Sequence, residues 1–213
     1  MKQNTERPQK VAIVTGGTAG LGLAIAKKFV ENKITTIVTG RDDEKLNGTK
    51  ESLGDLCVPM KMDITHLNQI APRIKEIADT YGRIDILVNN AGINLKKDFV
   101  CITDEEFQQV LLTNLTGVFT ISREVSKVMI AQKKGSIINI SSMAAHYGLP
   151  KVLAYAASKA AIEGMTRSMA VELSPHGILV NCIAPGFIKT NMSSIALDND
   201  PERKRMVLER TPL

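Results

Sequence analysis

Val11-Ala12-Ile13-Val14 runs straight into Thr15-Gly16-Gly17-Thr18-Ala19-Gly20-Leu21-Gly22, and a helical pattern follows from Leu21 to Val30. Four apolar residues in a row read as a strand buried on both faces. Glycines turn the backbone tightly and let it approach a bulky anion. The helix N-terminus beyond them offers free N–H groups and the positive end of a dipole. Together these features make a pyrophosphate cradle. Its T-G-x-x-x-G-x-G spacing differs from the G-x-G-x-x-G of the widespread dinucleotide fingerprint. The competing reading is a glycine-rich turn with a structural role alone.

The alternation of apolar runs and amphipathic stretches continues. Strands are predicted at Ile34–Thr39, Cys57–Met62, Ile84–Val88, Ser136–Ile140 and Ile178–Ile183. Helices are predicted at Asp42–Leu53, at Leu67–Thr80, and from an N-cap at Thr103 to about Lys134, where Gly135 stops it. A last helix spans Val152–Ser174 and is closed by Pro175-His176-Gly177. Alternating strands and helices imply βαβ units, so the fold class is α/β: a Rossmann-like, doubly wound parallel sheet in three layers. No repeat or low-complexity linker divides residues 1–213, which read as a single domain. Ligands of such sheets sit at the carboxyl ends of the strands.

Composition removes other classes. With 44% apolar and 23% charged residues the chain is an ordinary globular mixture, not a disordered one. No apolar run approaches about 18 residues, so no membrane span is expected. The polar start MKQNTERPQK lacks a secretory h-region. The net charge of +5 is spread along the chain and there is no Trp, which argues against a nucleic-acid partner. Cys57, Cys101 and Cys182 are odd in number and widely spaced, which fits free thiols in a reducing cytoplasm. His66, His146 and His176 are isolated, and no metal site is expected.

The strand ends carry the chemistry. Gly40-Arg41 ends strand two, where NAD binders place an acid for the ribose hydroxyls; an Arg there suits a 2′-phosphate instead. Asp42 and Asp43 read as helical and solvated. Asp63, ending strand three with Ile64 behind it, is placed to accept from an adenine amine or to act as a plain turn cap. Asn89-Asn90-Ala91-Gly92 ends strand four with small residues that let a cofactor pass, or forms a structural turn. Tyr155 and Lys159 share one helix face, and Ser142 follows strand five. A Lys cation beside a phenol favours phenolate. A drop of roughly three pKa units would take about 4 kcal/mol. A lone Tyr-x-x-x-Lys is common by chance.

Here it is accompanied. Thr15–Gly22, Asn89–Gly92, Asn114, Ser142, Tyr155-Ala-Ala-Ser-Lys159 and Pro185-Gly186 occur in one order, and nearly the whole chain from Lys10 resembles the classical short-chain dehydrogenase/reductase family. The resemblance implies an oxidoreductase moving a hydride between NADP(H), or less favourably NAD(H), and a carbonyl or secondary alcohol. It makes Tyr155 the general acid–base. Lys159 binds the nicotinamide ribose and tunes the phenol, and Ser142 orients the carbonyl. Asn114 holds a relay water. The cofactor would lie on Gly16, Gly17, Thr18, Ala19, Gly20, Leu21 and Gly22, then Arg41, Asp63, Ile64, Asn90, Ala91 and Gly92. Tyr155, Lys159, Pro185, Gly186, Ile188 and Thr190 would flank its nicotinamide end.

The family continues with a further helix and a seventh strand. The expectation is therefore a C-terminally shortened chain: a core over 10–190 with six strands, and part of a substrate lid over 191–213. The run Met165–Gly177 resembles gluconate 5-dehydrogenase-type members, which leans the substrate toward a keto sugar acid or polyol. The alternative is a 3-oxoacyl-acyl-carrier-protein reductase, for which Lys133-Lys134 would meet an acidic carrier. From another class, a non-catalytic dinucleotide-binding module remains, although a sensor needs no Tyr–Lys–Ser set; a methyltransferase of similar fold needs none either. The resemblance also implies a homodimer through helices 114–134 and 152–174, and a tetramer where the seventh strand is present.

Overall fold

The computed structural model describes residues 9–188, together with Arg205 and Glu209. Six strands are present: β1 (Val11–Thr15), β2 (Thr35–Gly40), β3 (Cys57–Lys61), β4 (Ile86–Asn89), β5 (Gly135–Ile140) and β6 (Ile178–Ile183). They pair in the order β3-β2-β1-β4-β5-β6, with every pairing parallel. The sheet is Rossmann-like. Its order reverses at β1, so a crevice opens where the carboxyl ends of β1 and β4 lie side by side. Thr190 and most of 191–213 lie outside the described residues.

Strand side chains alternate between two cores. Ile13, Ile37, Leu87 and Ile137 face one cluster, under α3 (Leu67–Tyr81) and the helices leading into β5 and β6. Val14, Val38 and Val88 face the other, under α1 (Gly20–Glu31) and α2 (Asp43–Leu53). Both faces are dry, which is why the strands read as continuous apolar runs.

Strand four starts at Ile86 rather than Ile84, and Asp85 just before it bonds β1 and β5 through its backbone and β1 again through its side chain. Its carboxylate accepts from Val11 N at 2.8 Å and pairs with the Arg83 guanidinium, 2.5 Å away. Burial would raise this carboxyl, but the Arg83 and Val11 donors outweigh it and hold it below the usual range. A depressed carboxyl stabilises the fold above its unfolded pKa, and that contribution is lost as pH falls through the native value. Asp85→Asn should therefore cost about 2–3 kcal/mol near neutral pH in urea melts, a deficit that shrinks in acid.

The predicted helix from Thr103 to Lys134 is not one α-helix. Thr103 caps α4 (Asp104–Leu111) in a capping box with Glu106. Leu112–Thr116 then winds as a π turn before α5 (Gly117–Gln132) resumes. A π turn inserts one residue and re-aims side chains, often at functional sites. Here it turns Thr113 and Asn114 into the interior. Nor does Gly135 stop the helix. Lys133 does so in a left-handed conformation (φ 54°), and Gly135 is the first residue of β5. α6 (Leu153–Leu173) ends in a 3-10 turn over Ser174–His176 and a left-handed Gly177, close to prediction.

Candidate active site

The crevice at the switch point is a cleft of about 480 Å³. Its first wall is the glycine turn. Gly16 has φ +62°, and a Cβ there would stand 3.0 Å from Ala91 Cα. A Cβ on Gly22 would overlap the Gly16 carbonyl and the Asn90 amide. That amide donates to both Thr15 O and Gly16 O at 3.0 Å, while Thr15 Oγ1 accepts from Asn90 N and Ala91 N. The ends of β1 and β4 are thus stapled together beneath the turn. The N-cap of α1 is Ala19, which offers no side-chain acceptor, and the first turn holds no acid. By contrast Asp42 caps α2 and Thr103 caps α4. The first-turn N–H groups of α1 are left to an anion such as a pyrophosphate.

At the end of β2, Arg41 Nη1 lies 3.8 Å from Asp63 Oδ2, and its side chain is 70% exposed. Asp42 is committed to α2: one oxygen accepts from Lys45 N at 3.2 Å and the other lies 3.4 Å from Lys45 Nζ. Asp63 Oδ1 accepts from the Thr65 amide and hydroxyl, leaving Oδ2 toward Arg41. Burial would raise the Asp63 carboxyl, but the Thr65 donors and the Arg41 charge together hold it below its ordinary value.

The floor of the cleft is built by β4, β5 and α6. A Cβ on Gly92 would sit 3.2 Å from Asn114 Oδ1 and 3.6 Å from Lys159 Nζ, so backbone passes closely there. Asn114 Oδ1 accepts from Ile93 N, and its amide donates to Ile93 O at 2.8 Å and Ser158 Oγ at 3.0 Å. Both amide hydrogens are committed, and the side chain ties the π turn to the loop after β4 and to α6. Ser142 caps the 3-10 turn Met143–Ala145 by accepting from Ala144 N at 3.2 Å, and its hydroxyl shares the cleft with the Tyr155 phenol, whose ionisation it eases. Lys159 is buried and donates to Ile140 O at 2.7 Å.

The expected depression of Tyr155 is corrected here. Burial raises its phenol above the ordinary value, and the Ser142 hydrogen bond only tempers this. Its cationic neighbour does not offset the burial. Lys159 Nζ stands 5.6 Å from the ring centre with its short bond turned to Ile140. Burial also lowers the Lys159 ammonium to about 8, which weakens its charge.

The profile of the short chain dehydrogenase family matches residues 10–200. The chain belongs to that family. Among relatives, a 3alpha-hydroxysteroid dehydrogenase of Mediterraneibacter gnavus is 40% identical over 188 residues, covering 86% of this chain and 75% of its own. The 3-oxoacyl-[acyl-carrier-protein] reductase FabG of Thermotoga maritima is 38% identical over 208 residues, 96% of this chain and 83% of its own. A solved actinorhodin polyketide ketoreductase variant with NADPH has a TM-score of 0.87 at 32% identity, covering 92% of this chain and 77% of the other. A structure provisionally described as a gluconate dehydrogenase of Agrobacterium tumefaciens has a TM-score of 0.89 at 34% identity, covering 95% of this chain and 81% of the other. As a short-chain dehydrogenase, the protein is an oxidoreductase acting on CH–OH groups with a nicotinamide dinucleotide.

In this short-chain dehydrogenase most residues singled out by sequence do line the cleft: Gly16, Thr18–Leu21, Arg41, Asp63, Ile64, Asn90–Gly92, Ser142, Tyr155, Lys159, Pro185, Gly186 and Ile188. Gly17, Gly22 and Asn114 stand behind the wall and shape it. Sequence reasoning missed Lys45 and Ile140; the pocket edge it reads at Ile93-Asn94 and Met143–Leu149 does contribute Ile93, Asn94, Met143, Ala144, Tyr147 and Leu149 to the lining. Lys45 was findable, since it lies one helical turn beyond Arg41. Ile140 was not, because it acts through its carbonyl. Among the described residues no three His, Cys, Asp or Glu gather for a metal, and no helix is long and apolar enough to cross a membrane.

Proposed function

We propose that the protein reduces a ketone carried on an apolar chain, of the oxoacyl or alicyclic kind, with NADPH. The observation that carries this is the lining of the substrate half of the cleft. Ile93, Met143, Ala144, Leu149, Val152 and Phe187 surround the Ser142–Tyr155 pair, with Asn94 and Tyr147 as polar tips. Besides Lys159, the described lining holds cations at the β2 end alone, Arg41 and Lys45. Among the described residues that half of the cleft offers no cation besides Lys159 to the carboxylate of a keto sugar acid, and an unpaired buried charge costs affinity. The lean toward sugar acids therefore loses support, although the gluconate dehydrogenase likeness keeps it as the second reading. Lys133 and Lys134 precede β5, at the amino-terminal end of the sheet and opposite the cleft, so within one chain they do not meet a carrier at its mouth.

The nicotinamide, when bound, supplies the hydride. The chain does the rest. The glycine turn and the α1 N-terminus hold the pyrophosphate; Arg41 and Lys45 hold the 2′-phosphate. Ser142 hydrogen-bonds the carbonyl oxygen as charge grows on it, and the Tyr155 phenol, which burial keeps in its acid form, delivers the proton. Cys57, Cys101 and Cys182 are all free, which supports a reducing compartment, the cytoplasm.

The test is a turnover panel followed by NADPH absorbance. Short 3-oxoacyl thioesters and cyclic ketones should exceed keto sugar acids by about tenfold or more in kcat/KM. Faster reduction of a keto sugar acid sinks the reading.

A homodimer through α5 and α6 is part of the same proposal. Ala157 and Ala160 are exposed on α6, and nothing but the Arg167 side chain approaches Gly164. Phe119 on α5 is 47% exposed and Val171 on α6 75% exposed. Small residues flanked by exposed apolar ones suit close helix pairing about a two-fold axis. Light scattering after size exclusion should give a dimer at micromolar concentration. Phe119→Glu, striking the interface twice, should give a monomer. A monomeric wild type would refute the arrangement.

A further inference from the structure

The stretch after β5 carries Ser142 and then part of the substrate wall. On one side its backbone is fixed to β6 and the loop beyond: Ser141 N donates to Ile183 O at 2.7 Å, and Met143 N to Pro185 O at 3.1 Å. On the other side it rests on α6, where Ser141 Oγ is shared between the Lys159 carbonyl at 3.2 Å and the shorter contact to a carboxylate. Glu163 Oε1 accepts from Ser141 Oγ at 2.8 Å and lies 3.0 Å from His146 Nε2. Ser141 immediately precedes Ser142, and His146 closes the 3-10 turn that Ser142 caps. One oxygen therefore grips both ends of the segment. Glu163 stands one helical turn beyond Lys159 on α6, and its side chain is 16% exposed. A carboxylate so poorly hydrated depends on its donors, and a charged acceptor binds them more strongly than a neutral one. Glu163 does not line the cleft itself, and neither the cofactor nor the Ser142–Tyr155–Lys159 set uses it.

We propose that Glu163 is a positioning residue: through Ser141 and His146 it holds the Ser142–Ala145 segment so that the Ser142 hydroxyl meets the phenol and the substrate wall keeps its shape. This rests on the reading of Ser142 as the group that orients the carbonyl. The effect is a preorganisation effect. Misplacing a reacting contact by about 1 Å can cost on the order of 100-fold in rate. Because the clamp acts on the substrate side of the cleft, the glycine turn and cofactor affinity should not feel it.

The experiment compares wild type with Glu163→Ala, Glu163→Gln, His146→Ala and Ser142→Ala. Amide hydrogen exchange is read at Ala144–Tyr147, whose N–H groups bond within the segment. Exchange there should accelerate by about tenfold or more in Glu163→Ala, and less in His146→Ala, while Gly16–Gly22 is unchanged. Glu163→Gln, which keeps an acceptor in place, should restore slow exchange. With the N-acetylcysteamine thioester of acetoacetate as probe, Glu163→Ala should lower kcat and raise KM, together about 10–100-fold in kcat/KM, with NADPH affinity within about threefold of wild type. Unchanged exchange in both Glu163→Ala and His146→Ala overturns the proposal. So does equal acceleration in the glycine turn, or a Gln variant as fast as Ala. His146→Ala and Glu163→Gln decide the matter if Glu163→Ala does not fold. Should Ser142→Ala keep full turnover, the role given to Ser142 falls, while the exchange data still judge the clamp.

Discussion

Tyr155→Phe should lower turnover by about 10²–10⁴-fold while cofactor affinity stays near wild type. The ring keeps its packing and only the oxygen leaves. Among the described residues no carboxylate lines the substrate half and Lys159 has its short bond to Ile140, which leaves the Tyr155 phenol as the proton donor on the cleft floor. Direction matters as well. A phenol is protonated near neutral pH, and burial, which raises it further, extends that form to higher pH, so the free protein is poised to give a proton, as reduction requires. Oxidation needs the phenolate and should gain rate as pH rises. Lys159, lowered to about 8, loses charge over the same range and offers the phenolate less help at high pH. Initial rates in both directions across pH, for wild type and Tyr155→Phe, check this. A Phe variant keeping more than about a tenth of the rate would mean that another group is the acid.

The sheet was legible because its strands are buried on both faces. Val11–Val14 and Ile34–Thr39 carry the signal in four to six residues, and the turn residues that follow do not depend on distant contacts. The helix interruption at Leu112–Thr116 was not legible. A π turn inserts a single residue into an otherwise helical pattern, and the residues around it suit α-helix equally well. What holds it is Asn114 bonded to Ile93, a contact across 21 residues of sequence. The same holds for ionisation. The sequence places Lys159 four residues from Tyr155, yet the sign of the phenol's shift depends on how dry the pocket is and on where Nζ points. Glu163 looked like one more charge on a helix until the fold set it against Ser141 and His146. Arg41 and Asp63 lie 22 positions apart, and only the pairing of β2 with β3 makes them neighbours.

Arg41→Ala should weaken NADPH by about 10–150-fold, equivalent to roughly 1.5–3 kcal/mol, and leave NADH within a few-fold. The 2′-phosphate distinguishes the two cofactors, so the loss measures that group alone. Three features support the size of the effect. Arg41 is exposed and meets Asp63 at 3.8 Å, too loose a pair to hold it back from a phosphate. Asp42, the acid that might have served a ribose hydroxyl, has both oxygens engaged by Lys45. Lys45 lines the same end of the cleft and adds a second cation, while the two acids there, Asp42 and Asp63, are already engaged by Lys45 and Thr65. Lys45→Ala should therefore weaken NADPH in the same sense but less, since a flexible ammonium binds phosphate as a point charge and a guanidinium in a fork. The double variant should approach equal affinity for the two cofactors. Titrations of cofactor fluorescence with both nucleotides measure all of this. Equal losses for NADPH and NADH in Arg41→Ala would show that the arginine serves the adenine or the fold, and that the 2′-phosphate is held elsewhere.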